Sequence, residues 1–284
     1  MNWIDRNEYP FTSHYFDSGR GRIHYVDEGS GPVVLMVHGT PEWSFAYRHL
    51  IKGLRGSFRC IAPDLLGFGL SDKPADADYS CAAHADRLCR FIDYLGLKDI
   101  RLIANDFGGS LAMSYAINHP DNVSRICLFN TWMWSLAADK HYSRPARFFA
   151  SLPGRWLYLY MGWSVNVLMP LAYGNKSRLT SHIHRHYKKP LHSPVTRLAA
   201  HAFVRELLHA GPWWDQLFAR IDAVKTKPFL IFWGMQDPLI KPSELARWQN
   251  ALPSTTVIKY DSAGHFVQEE EPEKMIIALR KFLP

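Results

Sequence analysis

The chain has 284 residues, 47% hydrophobic and 21% charged, with 10 Trp, 13 Tyr and 16 Phe, a balance that excludes disorder and suits one large core or a core with an inserted lid. No uncharged apolar run reaches the roughly 20 residues needed to span a bilayer, and the N-terminal MNWIDRNEYPF carries Asp5, Arg6 and Glu8 where a signal peptide would be apolar. A cytoplasmic protein with no transmembrane segment is the expectation. The formal net charge is +7, and residues 135–212 hold eleven Lys and Arg against two acids, which reads first as a solvated helical surface, with attraction to anionic substrates, lipid headgroups or nucleic acid as alternatives; no nucleic-acid module signature is present.

In chain order, an early hairpin at residues 13–15 and 22–27 predicts an antiparallel sheet edge. Residues 32–38 (PVVLMVH) are a continuous apolar run ended by Gly39, which suits a strand buried on both faces of a parallel sheet. Similar runs follow at 58–62 (FRCIA), 100–104 (IRLIA) and 125–129 (RICLF), separated by helical periodicity such as 82–95 and 110–119. Strands alternating with helices imply right-handed βαβ crossovers and an α/β fold class, with a mostly parallel, doubly wound sheet. After residue 132 the pattern changes to helical spacing with many aromatic and basic residues and no convincing strand. It predicts a helical cap at 133–212, inserted between core segments 1–132 and 213–284. Strand runs resume at 228–233 (PFLIFW) and 256–260 (TVIKY), and the chain closes with an amphipathic helix at 273–282.

In open α/β sheets ligands bind beyond the carboxyl ends of the strands. Three reactive side chains follow strand ends: Asp106 after IRLIA, Asp237 after PFLIFWG and His265 after TVIKY. Nucleophile, acid and base then stand in the chain order of an α/β-hydrolase triad. Ala104-Asn105-Asp106-Phe107-Gly108-Gly109 has the small-residue pattern of a nucleophile elbow, with Asp in the nucleophile position. Backbone N–H groups of Thr40, in His38-Gly39-Thr40-Pro41, and of Phe107 are the expected oxyanion hole. Asp64, in a Gly-rich turn, and His38 read as structural hydrogen-bonding residues.

No cofactor or metal is expected. Cys60, Cys81, Cys89 and Cys127 form no CxxC pair, and in His182-Ile183-His184-Arg185-His186 alternate helical residues do not share a face. The expected partners are a small apolar organic substrate and water, not nucleic acid, and the chain is read as a monomer or weak homo-oligomer.

The stretches HGTPEWSF (38–45), DLLGFGLSDKP (64–74), Asp106-Phe107-Gly108-Gly109 and Ala263-Gly264-His265-Phe266, with Asn130-Thr131-Trp132, together resemble the haloalkane dehalogenases, in the branch whose acid follows the later strand, here Asp237. The resemblance implies an α/β-hydrolase fold and hydrolysis through a covalent alkyl ester on Asp106. Two positions depart from the family pattern. Trp directly after the nucleophile and Asn after His-Gly donate to the departing halide in these enzymes, and here Phe107 and Thr40 stand there. A buried anion without donors costs several kcal/mol, so substitutes are expected among the indoles of Trp43, Trp132 and Trp134, the Thr40 hydroxyl and the basic cap. Epoxide hydrolysis assisted by cap tyrosines (Tyr142, Tyr158, Tyr160, Tyr173, Tyr187), β-lactone decarboxylation, and a ligand-binding receptor on the same fold stay open as alternatives.

Overall fold

A computed structural model describes residues 3–284; Met1 and Asn2, the start of the expected first core segment and of the expected leaderless N-terminus, lie outside the described residues. One sheet contains β1 (His14–Asp17), β2 (Arg22–Glu28), β3 (Val33–Val37), β4 (Arg59–Pro63), β5 (Ile100–Asn105), β6 (Val123–Phe129), β7 (Phe229–Gly234) and β8 (Thr256–Tyr260). Its spatial order is β1-β2-β4-β3-β5-β6-β7-β8. The hairpin β1–β2 and the β2–β4 pair are antiparallel, and every neighbour pair from β4 to β8 is parallel.

The apolar runs form strands because both faces of the sheet are covered. Leu35 and Val37 of β3 belong to one core cluster, and Val34 and Met36 to the other, as the alternation of side chains along a strand requires. Because β5, β6, β7 and β8 are adjacent, the loops leaving their carboxyl ends meet along one edge. That adjacency brings the segments after residues 105, 129, 234 and 260 together although they are far apart in sequence.

The helix expected at 110–119 spans Asp106–Asn118 and begins directly on the strand. The crowding of a strand that turns directly into a helix demands the paired glycines. A Cβ on Gly108 would collide with the carbonyls of Val37 and His38, and one on Gly109 with the side chain of Thr131.

Between β6 and β7 the described residues contain helices and no strand, among them Lys140–Ala150, Leu152–Tyr160, Ser181–Lys188, Leu198–His209 and Gly211–Phe218. The expected boundary at 212 falls inside the last of these. No helix of the described residues is long and apolar enough to cross a membrane.

Candidate active site

Asp106 has a φ of +50°, a left-handed conformation that a non-glycine residue holds only when its surroundings impose it. The imposing contacts are local. The backbone N–H of Asp106 donates to the Asn130 carbonyl at 3.3 Å, and its own carbonyl accepts from the Thr131 hydroxyl at 2.6 Å. The turn pushes the carboxylate toward the loop after β3, where Gly39 must lack a side chain because a Cβ would strike the Asp106 carboxylate. Oδ2 accepts from the backbone N–H of Thr40 at 2.8 Å, and the Phe107 N–H also bonds the carboxylate. Burial raises the pKa of Asp106, opposed by the His265 charge and these two N–H groups.

His265 and Asp237 arrive from the ends of β8 and β7. The imidazole Nδ1 lies 2.7 Å from Asp237 Oδ2, and its Nε2 lies 3.8 Å from Asp106 Oδ1. The second separation is too long for a hydrogen bond, and Nε2 is buried without a partner. Asp237 is itself fixed: Oδ2 also accepts from Asn130 Nδ2 at 2.7 Å, and Oδ1 accepts from the N–H groups of Leu239 and Ile240 at 2.7 and 3.1 Å. Burial acts to lower the imidazole pKa. The charge and hydrogen bond of Asp237, then the charges of Asp106 and Glu42, outweigh it and push the group up to about 9.

Asp106, Thr40 and Phe107 line a cavity of about 210 Å³ whose wall is otherwise nearly all apolar, with Phe149, Tyr158, Leu168 and Val204 contributed from between β6 and β7. On this wall Thr40 Oγ1, Trp132 Nε1 and Ser164 Oγ are buried without a hydrogen-bond partner. The Phe107 ring stacks on Phe203 at 4.4 Å and meets the Trp132 ring edge-on at 4.9 Å. The other two candidate indoles are committed elsewhere: Trp43 Nε1 donates to the His186 carbonyl and Trp134 Nε1 to Glu244. Asp64 accepts from the backbone N–H groups of Ser44 and Leu70. His38 Nδ1 donates to the Gly39 carbonyl while Nε2 accepts from Leu65 N–H.

A family model for the alpha/beta hydrolase fold matches residues 32–272. Haloalkane dehalogenase 2 of Mycobacterium tuberculosis is 37% identical over 279 residues, covering 97% of this chain and 96% of that protein. A cis-3-alkyl-4-alkyloxetan-2-one decarboxylase of Shewanella oneidensis is 31% identical over 292 residues, covering 96% of this chain and 89% of that protein. The crystal structure of haloalkane dehalogenase DbeA from Bradyrhizobium elkani superposes with a TM-score of 0.87 at 25% identity, covering 96% and 97% of the two chains. The chain belongs to the α/β-hydrolase family. Within it, this is a haloalkane dehalogenase-like hydrolase, which sets aside the receptor reading.

The hydrolase also contains a buried acid that sequence reasoning passes over. Glu42, 1% exposed, accepts from Asn105 Nδ2 and Gln268 Nε2, both at 2.5 Å, so it ties the residue before Asp106 to the helix after His265. Burial raises its pKa to about 7, against the hydrogen bond from Asn105. The available signal was an acid directly after His-Gly-Thr-Pro and before the large apolar residues Trp43 and Phe45. The histidines of the 182–186 run also have structural partners: His182 Nε2 meets Asp5 Oδ2, His184 Nε2 the Val165 carbonyl, and His186 Nε2 the Asp5 N–H.

Proposed function

We propose that this hydrolase cleaves carbon–halogen bonds of small apolar substrates through a covalent ester on Asp106. Asp106 Oδ1 attacks the sp³ carbon, forming a C–O bond as the halide leaves with the C–X electron pair. His265, oriented by Asp237, then takes a proton from water while that water attacks the Asp106 carboxyl carbon. The N–H groups of Thr40 and Phe107 hold the oxyanion until the bond from the carboxyl carbon to the alkyl oxygen breaks; the departing oxygen takes the proton from His265 and leaves as the alcohol, and the restored Asp106 carboxyl gives up its proton to solvent.

The observation that carries this reading is a buried carboxylate facing an apolar cavity, with two backbone donors on it and an imidazole beside Oδ1. The raised His265 pKa fits both steps. While Asp106 is ionised the imidazole is held protonated; esterification removes that negative charge and lowers the imidazole pKa, freeing Nε2 to act as base. Trp132 Nε1–H and the Thr40 hydroxyl would receive the leaving halide, since both line the cavity without partners and a halide accepts such donors. In this reading residues 133–212 form a cap over core segments 1–132 and 213–284.

Epoxide opening fits less well, because it needs free hydroxyl donors. On the cavity wall, Tyr142 OH donates to Glu244 and accepts from Lys241 N–H, and Tyr158 OH donates to the Ala200 carbonyl. Decarboxylation of a β-lactone is the second reading, supported by relatives named for that reaction. His265→Gln incubated with 1-bromohexane is expected to accumulate a hexyl adduct on Asp106 by intact-mass and peptide spectrometry. An unmodified protein, with no bromide released by wild type, would sink the proposal; carbon dioxide release from a dialkyl β-lactone would then favour the second reading.

A further inference from the structure

One face of the helical segment between β6 and β7 is not used by the site. On the helix Lys140–Ala150, Tyr142, Ala146 and Phe149 are buried and line the cavity, while Lys140, Arg144, Arg147 and Phe148 point outward and are exposed. The next helix, Leu152–Tyr160, exposes Leu152 (83%), Trp156 (55%) and Tyr160 (59%). Their four-residue spacing puts these three on one face. The Trp156 and Tyr160 rings stack at 6.0 Å and 15°, Arg155 is exposed beside them, and Met161 follows at 54% exposure.

Of the ten exposed large apolar side chains among the described residues, five (Phe148, Leu152, Trp156, Tyr160, Met161) fall within residues 148–161. Scattered surface hydrophobics need no explanation; a contiguous run does. The charges around it share a sign. Lys140, Arg144, Arg147 and Arg155 enter no ion pair among the described residues, and Asp139, the acid that precedes Lys140, is engaged by Lys241.

We propose that this face docks on the surface of an anionic phospholipid bilayer. Leu152, Trp156 and Tyr160 would enter the headgroup region, where amphipathic aromatic rings are favoured, and Lys140, Arg144, Arg147 and Arg155 would meet lipid phosphates. Charge decides between occupants: a second copy would set four unpaired cations against four more, whereas an anionic surface is complementary to them. Nucleic acid would satisfy the cations but leave Leu152 and Met161 in water. The helix whose inner face walls the cavity then has its outer face on lipid, the phase in which apolar substrates accumulate. The docking does not depend on which bond the enzyme cleaves.

The test is flotation of the intact protein with vesicles of phosphatidylcholine alone or mixed with phosphatidylglycerol. Wild type is expected to float with the anionic vesicles and not the neutral ones, and to be released by molar salt. Arg144→Glu combined with Arg147→Glu and Arg155→Glu should weaken binding by more than about 10-fold, and Trp156→Ser by about 10-fold, with circular dichroism and turnover of a soluble bromoalkane unchanged. No flotation, equal flotation with both vesicle types, or a wild-type dimer in light scattering that Trp156→Ser converts to monomer would each overturn the proposal. So would duplex DNA displacing the protein from vesicles through the same arginines.

Discussion

The carboxyl edge of the sheet and the wall that faces it across the cavity are built on opposite terms. At the edge, Asp106 is held by backbone N–H groups, Asp237 by backbone and side-chain donors, and His265 is aimed by Asp237. On the apolar wall the Phe107 ring stacks on Phe203 and the Phe149 ring meets Tyr158 edge-on, and Trp132 Nε1, Thr40 Oγ1 and Ser164 Oγ have no partner. The edge is preorganised for one chemistry, because its groups are held at fixed distances before substrate arrives. The wall supplies volume and a few unsatisfied donors, the means by which a pocket chooses its ligand. Losses at the edge should therefore abolish turnover, and losses on the wall should change which substrate is turned over.

The largest effect is expected at the edge. Asp106→Ala should lower turnover by at least about 10⁴-fold and leave no site for the hexyl adduct, while circular dichroism matches wild type. Retained turnover would place the nucleophile elsewhere and erase the distinction between edge and wall.

Asp237→Asn comes next, with a loss of roughly 10²–10⁴-fold and a distinct pH signature. The folded-state pKa of His265 is raised from 6.5 to about 9, chiefly by Asp237 acting against burial. A raised basic group stabilises the fold fully below the unfolded value and loses that contribution as pH climbs through the folded value. The shift amounts to on the order of 3 kcal/mol. Wild-type unfolding free energy should thus fall between about pH 6.5 and 9, as read by urea denaturation across that range. Asp237→Asn should flatten the fall; an unchanged slope would mean that Asp237 does not hold the proton on His265.

The edge was legible in the sequence and the wall was not, for a physical reason. Strand runs and the residues after them carry local signals, so Asp106, Asp237 and His265 could be placed on one sheet edge from spacing alone. Which indole faces the cavity is fixed by tertiary packing: Trp43, Trp132 and Trp134 are equivalent in the sequence, and only their partners, the His186 carbonyl for Trp43 and Glu244 for Trp134, leave Trp132 free. The tyrosines follow the same rule, since the commitments of Tyr142 and Tyr158 come from residues about 40 to 100 positions away. Glu42 was missed because burial of an acid cannot be read from a motif.

On the wall, Trp132→Phe keeps an aromatic ring against Phe107 and removes the N–H together with part of the indole's volume. The loss of one donor to a buried anion is worth about 1.5–3 kcal/mol, so kcat/KM for a bromoalkane should fall roughly 10- to 100-fold. Adduct formation with His265→Gln should slow by the same factor, and hydrolysis of a preformed ester should not. An equal slowing of both steps would assign Trp132 to packing.

The smallest effect tests whether the edge extends to Glu42. Its carboxylate is among the charges that raise the His265 pKa, while its own pKa, raised by burial, lies near 7. Glu42→Gln keeps acceptor capacity toward Asn105 and removes the charge, so the imidazole should become easier to deprotonate. The acid limb of the kcat profile, which under the proposed mechanism reports His265 in the ester intermediate, should then move to lower pH by less than about one unit, with the adduct-forming step nearly unchanged below pH 7, where Glu42 is already largely protonated. A structural role alone would lower kcat at every pH without moving the limb. Glu42→Ala provides the contrast, since it also removes the partner of Asn105 and Gln268 and should depress both steps together. A displaced limb in Glu42→Gln therefore separates electrostatic tuning of His265 from support of the loop that carries Thr40.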